Sequence, residues 1–123
     1  MLKFTIPLTP ISKKNSQQIV RRKDGKPCII PSKKYKEYED ATRWFMPKVS
    51  TIDSQVNVKA LFYMPTHRIV DMVNLQEALL DVMVKHRVLE DDNSRIVVSM
   101  DGSRVLYDKE NPRTEVEITE VSE

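Results

Sequence analysis

Cysteine is almost missing from this chain: Cys28 is the only one in 123 residues. That excludes an internal disulfide and a CxxC zinc site, and nothing marks the protein for an oxidising compartment. Long apolar runs are missing too. No stretch approaches the roughly 18 apolar residues of a membrane helix, and the first residues, MLKFTIPLTP, lack the apolar core of a signal peptide. A cytoplasmic protein with no membrane partner is the expectation. Only two glycines are present, beside 40% hydrophobic and 31% charged residues, which argues against a fibrous or disordered chain. At this length a single domain spanning residues 1–123 can bury a core without disulfide or metal staples.

Charge is present in quantity and unevenly placed. Residues 1–50 carry 12 Lys and Arg against 4 Asp and Glu, and residues 51–123 carry 8 against 14, so a basic half precedes an acidic one within a net charge of +2. A phosphate backbone suits the first half and a cation bridging to phosphate suits the second. Mutual neutralisation of the two halves explains the same asymmetry without any ligand.

Periodicity predicts the elements. Leu2, Phe4 and Ile6 alternate with polar residues as in a half-buried strand, and the segment from Thr9 to Gln18, with Lys13 and Lys14, has no apolar period and reads as a loop. Asp24-Gly25 between two short apolar runs predicts a hairpin with a type I′ turn, carrying Arg21 and Arg22 on a projecting ribbon. Ser32 is placed to cap a helix running to about Met46, with Tyr35, Tyr38, Thr42 and Phe45 on its buried stripe and Ala41 and Trp44 widening it. Val56 to Met64 alternates as a long strand. A second helix is expected from about Val73 to His86. Then Ile96-Val97-Val98 begins a strand, Asp101-Gly102 marks a hairpin into Val105-Leu106-Tyr107, and Val116, Ile118 and Val121 mark a closing strand. The order predicts an α+β fold, a mixed β-sheet covered by two main α-helices.

The acidic half concentrates its chemistry between His67 and Ser94. Asp71 stands at the start of the second helix, Glu77 and Asp81 lie one turn apart along it, and Asp91 and Asp92 follow its end. Clustered carboxylates suit a hard cation such as Mg²⁺, with Mn²⁺ as the near substitute. Each has a plainer reading: Asp71 as a helix cap, Asp81 paired with Lys85, and the run from Glu90 to Asp92 as a solvated turn. His86 on the apolar helix face reads as a satisfied core histidine.

The stretch D-M-V-N-L-Q-E-A-L-L-D-V-M from Asp71, followed by L-E-D-D-N-S-R-I-V from Leu89, resembles the RusA family of Holliday-junction resolvases. The family pattern is D-x-D-N-L, a helix with a Lys and a further Asp, then a D-D pair before a strand. The F-T-I-P strand, the K-K-N loop, the I-P-S-K-K-Y-K-E-Y helix start and the closing N-P-R-T-E-V-E-I strand agree, so the resemblance spans nearly the whole chain.

The resemblance implies a small homodimeric, Mg²⁺-dependent endodeoxyribonuclease, frequent in phages and prophages, that nicks four-way junctions symmetrically in recombination and repair. It places metal-binding aspartates at Asp71 and Asp92, with Asp91 as the first of the pair. Val73 stands where the family has its second aspartate, and Glu77 where it has a lysine. Glu77, one turn on from Val73, is the expected third ligand, helped by Asp81. Lys13, Lys14, Arg21, Arg22 and Arg68 are the expected DNA contacts, and Arg68, Arg104 and Lys109 are the candidates to replace the family lysine. Two readings compete with the enzyme. One is a junction-binding protein that has lost catalysis, and the other is a small metal-binding interaction domain.

Overall fold

The alternation in residues 56–64 is realised as the longest strand of a sheet that the ends of the chain complete. A computed structural model describes residues 1–12 and 17–121, so the expected loop contacts Lys13 and Lys14 lie outside the described residues. Strand β1 (Leu2–Ile6) is followed by the hairpin β2 (Gln17–Arg21) and β3 (Pro27–Pro31), helix α1 (Lys33–Thr42) and a 3₁₀ turn (Arg43–Phe45). Then come β4 (Val56–Met64), helix α2 (Met72–Lys85), β5 (Val97–Ser99), β6 (Arg104–Tyr107) and β7 (Arg113–Glu120). The fold is α+β, as expected.

The last strand holds the sheet together. β7 pairs antiparallel with β1 on one side and with β4 on the other, and both β5 and β6 pair parallel with the far edge of β4. Val56, Val58, Ala60 and Phe62 of β4, Val116 and Ile118 of β7 and Ile6 of β1 are buried on one face. Leu75, Leu79, Val82 and Met83 of α2 pack against them, with Tyr38 of α1 alongside. Full burial of side chains of this size contributes roughly 1.5–3 kcal/mol each. The opposite face carries Lys3, Thr5, Lys59, Leu61, Glu115 and Glu117 around an open groove of about 290 Å³. In register, Glu117 stands between Lys3 and Lys59.

Four local expectations need correction. The Asp101-Gly102 signal does make a turn, with Ser103 N–H donating to Met100 O at 3.2 Å, but β5 and β6 do not form a hairpin. They are two pieces of one edge strand, opposite Val56–Asn57 and Leu61–Met64 of β4. Side chains bridge the gap: the Asn57 carboxamide accepts from Ser99 Oγ at 2.5 Å and Asp101 N–H at 2.8 Å, and Ser103 Oγ accepts from Ala60 N–H at 3.0 Å.

The turn at Asp24-Gly25 is not type I′, because Gly25 has φ +83° while Asp24 does not have positive φ. Gly25 N–H donates to Arg22 O at 2.9 Å, which makes a turn over residues 22–25 with glycine in the left-handed position. Helix α1 ends at Thr42 rather than Met46 and tightens into the 3₁₀ turn. Trp44, expected on the buried stripe, is therefore carried round to the surface, where it is 75% exposed beneath the Arg43 guanidinium. The closing strand, expected at Val116, Ile118 and Val121, starts earlier, at Arg113, and ends at Glu120.

Candidate functional site

Helix α2 positions the first acids. Asp71 is its N-cap, with extended backbone and a carboxylate oxygen accepting Val73 N–H at 3.0 Å. Asp therefore does serve as a cap here, and its second oxygen is not used by that bond. Val73, which the resemblance sets at the family's second aspartate, is exposed. Glu77 is exposed and Asp81 half-buried one turn later, both close enough to Tyr35 of α1 for their charges to act on it. The Tyr35 hydroxyl is pushed well above its ordinary pKa by burial, then by the charges of Glu39 and Asp81 and, further down, Glu77.

The second group of acids is held by the end of α2. His86 is the C-cap, and Arg87 takes the left-handed conformation at φ +67°, which lets Val88 N–H reach Met83 O at 2.8 Å. This reversal directs Val88 and Leu89 into the core and sets Leu89 in a parallel bridge to Ile52. Asp91 and Asp92 emerge immediately after it. Asp91 organises the turn: one oxygen accepts Asp92 N–H at 2.7 Å and the other accepts from Asn93 Nδ2 at 3.1 Å.

The Asp92 carboxyl is raised from its ordinary pKa by partial desolvation, then by its hydrogen bond to Asp91 and Asp91's charge, and least by the charge of Glu77. Glu77, far from Asp92 in sequence, thus adds its charge to those acting on Asp92. Such a group of hard oxygens with mutual repulsion has the chemistry that a divalent cation relieves. Among the described residues, no three Asp, Glu, His or Cys side chains are gathered around one point.

The neighbours of the acids resolve several plainer readings. Lys85 forms an ion pair with Glu39 and lies 3.7 Å from Asp40, so its charge is committed to α1. Its pKa is raised, chiefly by the hydrogen bond to Glu39. His86 Nε2 lies 2.8 Å from Glu39 O, so the histidine is satisfied as expected, though it is half-buried between the helices rather than in the core. Arg21 and Arg22 are at the exposed hairpin tip, and Arg21 Nη1 donates to Gly25 O at 3.3 Å.

Arg68 is exposed in the loop between β4 and α2, where it lines a groove of about 370 Å³ with Lys34 at the start of α1. His67 is stacked on Tyr107 of β6, with ring centroids 3.8 Å apart. Sequence reading misses this contact, since no local pattern relates residues 40 positions apart. Of the lysines opening α1, Lys34 is the one that reaches this groove. The sequence does carry a signal for it, because a positive charge in the first turn of a helix is unfavourable unless an anion offsets it.

The sequence model of the family described as Endodeoxyribonuclease RusA matches residues 7–119. No curated protein matches the chain.

Proposed function

The chain belongs to the RusA endodeoxyribonuclease family, and from that premise we propose that it is a divalent-cation-dependent enzyme that nicks four-way DNA junctions. The observation that carries this reading is the family match over residues 7–119, with Asp71 capping the start of α2 and the Asp91–Asp92 turn following its end. Asp92, Glu77 and Asp71 are the cation's ligands in this reading, with Asp91 setting the turn and Asp81 supporting Glu77 from one turn away. When bound, Mg²⁺ or Mn²⁺ supplies Lewis-acid stabilisation to the phosphodiester and a source of hydroxide near neutral pH. The protein's own part is placement. Asp71 is fixed by its cap and Asp92 by the bonds of Asp91.

The hairpin arginines and Arg68 contact backbone phosphates and set position without reading bases. A twofold dimer acting in the cytoplasm, phage- or prophage-derived, suits the two equivalent strands of a junction. No helix among the described residues is long and apolar enough to cross a membrane.

The test is cleavage of a labelled four-way junction and a matching linear duplex, with Mg²⁺ or with chelator. The wild type nicks the junction in paired fashion only with metal, and Asp92→Asn and Glu77→Gln each lower the rate by more than about 100-fold. Full activity in Glu77→Gln removes Glu77 from the ligand set. Tight junction binding without nicks, restored to cutting by Val73→Asp, would favour the second reading, a binder whose lost aspartate has not been replaced.

A further inference from the structure

Arg68 stands between two grooves that share Met64 and Thr66. One is the groove with Lys34, and the other, of about 310 Å³, has the His67–Tyr107 stack as its wall. Tyr107 is 44% exposed and His67 is exposed as well, so the stacked rings lie at the surface rather than in the core. Burial does not account for this stack, and an aromatic face in water is available to another flat π-system. Neither Lys34 nor Arg68 takes part in an ion pair among the described residues. Two uncommitted cations beside an exposed aromatic shelf match a nucleotide, with phosphate at the cations and base on the rings.

The ligand can be specified further. A base within a duplex has both faces covered by its neighbours, so the shelf can take only a base outside the stack. We propose that Tyr107 and His67 form a stacking subsite for an unpaired nucleotide of a DNA strand, whose phosphate is held by Arg68 and Lys34. The proposal rests on the nuclease reading and deepens it. It assigns the protein an affinity for locally single-stranded DNA, the state of nucleotides freed where helices exchange strands. Arg68, common to both grooves, sets the strand's register on its approach to Asp71, three residues on.

The experiment measures binding of a short single strand carrying one 2-aminopurine, in chelator, so that cutting plays no part. Tyr107→Leu is expected to weaken binding about tenfold and to abolish the change in probe fluorescence, while Tyr107→Phe, which keeps the ring, binds as the wild type does. Lys34→Gln and Arg68→Gln each weaken binding and lower its salt dependence by about one phosphate contact. The subsite is overturned if Tyr107→Leu binds the strand as tightly as wild type with the same fluorescence. It is also overturned if a free mononucleotide competes as well as the strand.

Junction cutting with Mg²⁺ is followed in parallel. Cutting with strand binding indifferent to Tyr107 removes the subsite alone. Strand binding through Tyr107 without cutting removes the nuclease reading and leaves the subsite.

Discussion

Arg87 is the clearest case of a single residue acting against its own preference. Its φ of +67° lets α2 end and Leu89 enter the core, yet a side chain in the left-handed region costs about 1 kcal/mol relative to glycine. Arg87→Gly should therefore raise stability by about 0.5–1 kcal/mol, read as a higher urea midpoint with unchanged slope.

Asp108 shows the opposite case, a residue made more favourable by its neighbour. Arg113 Nη1 donates to it at 2.8 Å, and that bond holds the Asp108 carboxyl below its ordinary pKa. A lowered folded pKa stabilises the fold above the ordinary carboxylate value, and the contribution is lost as pH falls through the lowered one. Asp108→Asn should lower stability slightly at neutral pH and leave it nearly unchanged at the acid extreme, so that stability falls less steeply as pH drops below about 4. Urea unfolding across that range measures it.

The elements differ in how legible they are from sequence. β4 and α2 can be read directly, because a period of two over residues 56–64 and an apolar stripe over residues 75–83 each admit one structure. The β5–β6 edge cannot, because Asp101-Gly102 specifies a reversal of the chain but not the partner on either side of it. Trp44 is misplaced for a related reason: a helical stripe extended past Thr42 ignores the point where the chain tightens and the period changes. In the site, the acids announce themselves by type and spacing. The His67–Tyr107 stack depends on β6 lying beside β4, a tertiary fact with no local trace. The edge yields its own prediction. Ala60 is fully buried and its N–H has Ser103 Oγ as acceptor, so Ser103→Ala should cost about 1–3 kcal/mol for the orphaned donor. Hydrogen exchange at the Ala60 amide should speed up accordingly.

For the whole molecule, the basic hairpin and the acidic site are separate devices with separate signatures. Arg21 and Arg22 are exposed and far along the chain from the carboxylates, so replacing both with Gln should weaken junction binding. The slope of log affinity against log salt should fall by roughly one for each phosphate no longer neutralised. The rate of cutting at saturating DNA should be little changed, which distinguishes these residues from Asp92.

The order of strands carries a last consequence, for time rather than energy. β1 and β4 do not touch each other in the sheet, since β7 lies between them. While the chain is being made, the first strand and the longest one must wait with unpaired edges until residues 113–120 arrive. The sheet can start with β4, β5 and β6 but is completed late, with the final strand entering between two that preceded it.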